Sequence, residues 1–341
     1  MQEHDADWLT ALRTCVERFI REKNYACAEL SMSPLSGDAG FRRYFRCNTC
    51  PSLIAVYAPP ETEKNSLFCR IAAHLNQAEV RAPEVLWADF MQGFLILEDF
   101  GDALLLDELN PDSVNTLYQL AFDTLQTLQK VSCDESLFER YSETLLNAET
   151  ALFDEWYLAK LLGLELDERE REIIAELVRF LTARACNQKQ VLVHRDFHSR
   201  NLMLLDDGGL GVIDFQDAVV GPLTYDLVSL LKDCYVRWNP LQVERWALAY
   251  LEQLYAQGVT ALDRDEFLKD FHLMGMQRHL KVLGIFARLS LRDGKHGYLA
   301  DLPTVMAYVL EASAMFPELA PFDVLLRARI LPLAQEKGWA H

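Results

Sequence analysis

A hydroxyl that attacks a phosphoryl group needs a carboxylate to orient it and take its proton. The phosphates it attacks need a hard divalent cation held by oxygen ligands. Residues 191–205 and 211–216 carry side chains for both tasks. Two short apolar runs, each able to be a strand, bracket a polar loop with Asp196 and Asn201, and the second run delivers Asp214. An ordinary polar turn with solvated carboxylates often contains one such triplet. Two in this order, each on an apolar strand, seldom arise by chance.

His194-Arg195-Asp196, with Asn201 five residues after the aspartate, resembles the catalytic loop of kinase-like phosphotransferases. Asp214-Phe215-Gln216 stands where those enzymes carry a Mg-binding Asp-Phe-Gly. His198 is similar to the small-molecule branch that includes aminoglycoside and choline kinases. The short run from Asp214 to a helix expected at Tyr225 leaves no room for a phosphorylatable activation loop, so a protein kinase is not expected. The resemblance implies an α+β, bilobal, protein-kinase-like fold, with a β-rich N-lobe over 1–98 and a larger helical C-lobe over 99–341. It also implies ATP and Mg²⁺ as cofactors, Asp196 as the base, Asn201 and Asp214 as metal ligands, His194 and His198 as structural support, and Asp226 bracing the catalytic loop from behind. Asp226 could equally cap a helix N-terminus.

The elements that must position these groups are legible upstream. Trp8, Leu9, Leu12, Val16, Phe19 and Ile20 recur at helical spacing. Residues 35–46 predict a hairpin whose Gly37 and Gly40 would let backbone N–H groups approach phosphates, although a full glycine-rich motif is lacking. The third strand is expected over 52–57. Where the family's phosphate-binding lysine would stand, this sequence has Tyr57. Arg43, Arg46 and Lys64 are the candidate replacements. Arg43 is preferred because it alternates onto the face of Phe41 and Phe45, with Arg46 on the other. A helix around 67–75 and strands at 85–87 and 94–97 follow. Glu98, Asp99 and Phe100 fall at the hinge whose backbone hydrogen-bonds the adenine in the resembling family. Their Asp-Phe-Gly lies before the catalytic loop, which is the wrong side for a metal ligand.

The chain has 341 residues, half of them hydrophobic, so it can bury a large core. A net charge of −18 argues against nucleic acid or an anionic membrane as partner. Neither a signal peptide nor a bilayer-length apolar run is evident, so a cytoplasmic protein with reduced thiols is expected. Cys47 and Cys50 lack the second ligand pair that structural zinc needs. Residues 134–176 hold thirteen acidic side chains against four basic ones. They read as a helical insert with a solvated face, or as a wall for a polycationic substrate.

Arg278, Lys281 and Arg288 share a helical stripe with Arg292, Lys295 lying just beyond. The stripe is either a docking surface for an anionic substrate or a solvated helix face or set of ion pairs with the acidic insert. Residues 277–286, 293–295, 298–299 and 301–303, with 155–157, the 41–44 hairpin and 58–60, resemble one subgroup, the anomeric kinases of peptidoglycan recycling. That resemblance implies a small amino-sugar substrate, N-acetylmuramate or N-acetylglucosamine, phosphorylated at the 1-hydroxyl. An aminoglycoside- or choline-type kinase and a nucleotide-binding pseudokinase are the alternatives.

Overall fold

The computed structural model describes residues 5–35 and 40–340. In chain order the elements are α1 (Asp5–Lys23), β1 (Met32–Leu35), β2 (Arg43–Cys47), β3 (Leu53–Tyr57), α2 (Asn65–Gln77), β4 (Val85–Asp89), β5 (Phe94–Glu98), α3 (Leu105–Glu108), α4 (Val114–Lys130), β6 (Glu139–Arg140) and α5 (Glu143–Leu152). A π-helical segment (Phe153–Leu162) leads to α6 (Glu168–Asn187), β7 (Gln190–Val193), β8 (Leu202–Leu204), β9 (Leu210–Val212), β10 (Val219–Pro222), α7 (Tyr225–Leu231), α8 (Pro240–Ala256), α9 (Arg264–Asp293) and α10 (Leu302–Ser313). Short helical turns complete the C-terminal part. No single helix among the described residues is long and apolar enough to cross a membrane.

One compact unit comprises residues 1–120 and 201–216. β3 and β5 are almost uninterrupted apolar runs, which suits strands buried on both faces, and they form the middle of an antiparallel sheet ordered β1-β2-β3-β5-β4. One face is covered by α1, where Leu12, Val16, Phe19 and Ile20 pack against Cys47, Leu53, Ala55, Phe94 and Ile96. The β8–β9 hairpin belongs to this unit because its backbone is bonded into it. Leu204 N–H donates to the Ala103 carbonyl at 2.8 Å and Val212 N–H to that of Arg81 at 2.7 Å, while the Phe100 ring packs so closely on Gly211 that a Cβ there would lie 2.6 Å from it. The compact units therefore divide the chain elsewhere than between the 1–98 and 99–341 lobes read from the sequence.

The other unit comprises residues 121–200 and 217–341. α9 is its central helix, buried on every side from Asp270 to Gly284, with α5, the π-helical segment, α6, α7 and α10 around it. Gly284 allows the closest crossing, since a Cβ there would meet the Leu152 carbonyl carbon at 2.3 Å. Gly284→Ala should thus cost at least about 1–3 kcal/mol by overpacking against main chain that cannot yield, read as a lower denaturation midpoint with an unchanged m-value.

Lys232, which follows α7, is buried with its ammonium 3.0 Å from His272 Nδ1. Burial pushes its pKa down to about 8, against the opposing pull of Glu311 and Glu244. From about pH 8 to the ordinary lysine value the unfolded chain holds a proton that the folded chain has released, so stability rises with pH across that window. Lys232→Met removes the cost of burying the charge. Its stabilising effect should approach about 3 kcal/mol at pH 7 and fade as pH climbs towards 10, as urea titrations at several pH values would show.

Candidate active site

β7 runs directly into the loop that carries Asp196. Arg195 takes a left-handed conformation, φ 75°, which turns the loop sharply and is unusual for a bulky residue. The Asp226 carboxylate holds the turn, accepting from His194 N–H at 2.7 Å and from Arg195 N–H at 3.0 Å. Burial raises the Asp226 pKa to about 7 although both donors favour its charged form. Asp196 N–H donates to His194 Nδ1 at 3.3 Å. Lower in the loop, Asp233 accepts from both the N–H and the hydroxyl of Ser199. The His198 ring stands edge-on to Tyr235, centroids 5.3 Å apart, and the Arg200 guanidinium lies 3.6 Å over the same tyrosine.

Behind the loop is a buried network that sequence reasoning did not find. Glu149 accepts from Arg195 and Tyr141 and pairs with Lys281 at 3.3 Å, and Lys281 donates to the Tyr225 hydroxyl at 3.1 Å. Burial works to raise the Glu149 pKa, but Lys281 and Arg195 outweigh it and keep the group ionised. The same contest is decided the same way at Asp196. Burial would raise its pKa, yet the charges of Lys281, His198, Arg278 and His194 hold it below the ordinary carboxylate range.

In the other unit, Ile213 N–H donates to the Asn201 carbonyl at 3.0 Å, tying the start of β8 to the residue before Asp214. Asp214 is left-handed, φ 64°, and exposed, and it accepts from Gln216 Nε2 at 2.6 Å. Phe215 next to it is buried and stacks on Phe68 of α2 at 4.9 Å. Two oxygen-bearing side chains, one carboxylate and one carboxamide, are thus presented by a tied hairpin, a donor set suited to a hard cation.

Residues 31–263 match the phosphotransferase enzyme family, more than half of the chain. The chain belongs to that family. A relative from Pseudomonas putida, named N-acetylmuramate/N-acetylglucosamine kinase, is 40% identical over 87% of this chain and 87% of its own length. One of the same name from Pseudomonas aeruginosa is 40% identical over 92% of this chain and 94% of its own length. Among solved structures, Plasmodium vivax ethanolamine kinase superposes with a TM-score of 0.61 at 14% identity, covering 86% of this chain and 84% of that one. It shares the bilobal protein-kinase-like fold, as expected from the sequence.

Strand register and side-chain pairing show what the upstream candidates of this phosphotransferase touch, and they move one of them, Arg43, away from the expected place. Arg43 pairs across with Tyr57, and both Tyr57 and Phe45 pack on Trp8 of α1, so Arg43 lies on the α1 face rather than beside Tyr44 and Arg46. Arg46 is held by Asp99, Asp102 and the Gly101 carbonyl. The Asp99 carboxylate accepts from Arg46, Ser52 and Gly101 N–H, which holds the turn. The Glu98 carboxylate meets Arg81 and the N–H of Glu84. The Phe100 ring covers Gly211. Gly40 is exposed, and Gly37 lies outside the described residues.

The cationic stripe is not one surface. Arg278 is buried and donates to Cys234 Sγ, and Lys281 pairs with Glu149 of the acidic insert. Arg288 is half-buried with its Nε–H unpartnered among the described residues, and Arg292 pairs with Asp293 in solvent. Two of the three expected substrate cations thus act inside the protein, on the electrostatics of Asp196.

Proposed function

We propose that this chain transfers the terminal phosphoryl group of ATP to the anomeric hydroxyl of N-acetylmuramate and N-acetylglucosamine. The observation that carries the reading is Asp196, kept ionised by the cations behind it and presented on a loop pinned by Asp226. A carboxylate held below its ordinary range is a weak base, and an anomeric hydroxyl, more acidic than an ordinary sugar alcohol, asks less of it. The names of the 40%-identical relatives support the same acceptors.

Asp196 orients the hydroxyl and takes its proton as the new O–P bond forms; the bond from the terminal phosphorus to the bridging oxygen breaks, and ADP leaves. His194 and Asp226 fix the loop, and Lys281 with Arg278 keeps the base charged until then. Asn201 and Asp214 would hold Mg²⁺, whose charge offsets that of the phosphates.

An acceptor screen followed by ³¹P NMR tests the reading. The product should be a sugar 1-phosphate, its phosphorus coupled to the anomeric proton, and a 1-O-methyl glycoside should be inert. Phosphorylation of the glycoside would remove the anomeric assignment. Turnover of cationic acceptors alone would favour an aminoglycoside- or choline-type kinase, and no nucleotide consumption with any acceptor would favour a pseudokinase.

A further inference from the structure

In this sequence the third strand offers no cation. Tyr57 stacks on Trp8, ring centroids 4.4 Å apart, so that position also faces α1. The face opposite is followed by Tyr44 and Arg46 of β2, and the alternation extends back to Arg42. Arg42 differs from its neighbours. It is only 8% exposed, its guanidinium pairs with Glu63 at 2.9 Å and lies 4.7 Å over the Phe68 ring, and its Nε–H has no partner among the described residues. Phe68 stacks on Phe215, which adjoins Asp214, and Tyr44 is near enough to feel both Arg42 and Asp214. The unit that presents the candidate metal ligands therefore also holds, around them, one buried, oriented and incompletely bonded guanidinium.

We propose that Arg42 binds a phosphate oxygen of the nucleotide, with Glu63 and Phe68 orienting it. The inference rests on the kinase reading and assigns the missing cation to a residue outside the third strand. A buried N–H without an acceptor is uncommon and is satisfied here when an anion arrives. Glu63 and Phe68 fix the plane of the guanidinium before the ligand binds. A guanidinium is also not interchangeable with an ammonium, because it offers a rigid planar fork where lysine offers a point charge. Lysine at position 42 should therefore fail to restore full binding.

The test compares ADP with adenosine by calorimetry, because only ADP carries phosphates. Arg42→Met should weaken ADP at least about tenfold and leave adenosine unchanged, with Arg42→Lys between the two and Arg43→Ala like the wild type. In the wild-type protein the Arg42 Nε–H resonance, assigned by its loss in Arg42→Lys, should shift with ADP and not with adenosine; this reading stands even where Arg42→Met does not fold. ADP affinity within about twofold of wild type in Arg42→Met, an equal loss of both ligands, or a resonance that ignores ADP would each overturn the assignment while wild-type turnover kept the kinase reading. Wild-type protein that binds neither ligand would overturn both.

Discussion

Asp196→Asn should lower turnover by about 10²- to 10⁴-fold, the usual worth of a positioned general base, while nucleotide affinity stays close to that of the wild type. Asparagine keeps the size and much of the hydrogen bonding and gives up only proton acceptance, so stopped-flow turnover and calorimetric ADP binding should separate. Wild-type turnover in this variant would remove Asp196 from the mechanism. The pH profile gives a second check. Lys281, His198, Arg278 and His194 overcome burial and hold Asp196 below the ordinary carboxylate range, so the base stays ionised at every pH above that range. The wild-type profile should then show no acid limb from Asp196 down to about pH 4, and Lys281→Met, which removes one of those charges, should move a limb upward into view.

Asp214→Ala should be about as damaging, two to four orders of magnitude, because it deletes the charged half of the proposed metal site and leaves only a neutral carboxamide. Raising Mg²⁺ should rescue it little, since no carboxylate remains to compete for the ion. Asn201→Ala should lose less and recover in part at high Mg²⁺. Turnover measured across a Mg²⁺ titration distinguishes the two. Full activity of both variants at low Mg²⁺ would mean that these residues do not hold the metal.

The loop and hairpin were legible in the sequence because the chemistry tolerates few substitutes. The proposed chemistry asks for a carboxylate, a carboxamide and a second carboxylate in that order on apolar strands, and Asp196, Asn201 and Asp214 stand so in the sequence. Asp226 was legible only through the resemblance, as a brace for the loop or a helix cap, and it is the loop's two backbone N–H groups that it receives. Arg42 was not, since alternation in 41–46 gives two faces without saying which one α1 will cover, and both carry an aromatic residue and an arginine. The stripe on α9 was legible only in part: of its alternative readings, the ion pair with the acidic insert is the one Lys281 makes. Its period was right, but a helix enclosed from Asp270 to Gly284 has no solvent face there, and the partners that make Arg278 and Lys281 tolerable inside, Cys234, Glu149 and Tyr225, are distant in sequence.

The bonding of the β8–β9 hairpin into a unit whose other residues end at 120 has a consequence for protein synthesis. At about 5–20 residues per second, a ribosome that has finished residue 120 needs roughly 5–20 s more to deliver residue 216. During that interval the nascent sheet can form its five strands, but the Phe100 ring lacks Gly211 to cover it and the Arg81 and Ala103 carbonyls lack the N–H groups that they later accept. A polypeptide released near residue 120 would keep those features uncovered and carry neither Asn201 nor Asp214. A cut at that junction would therefore part the β8–β9 hairpin from the backbone it bonds to, and the unit that holds the five-stranded sheet is completed only after residues 121–200 have been translated.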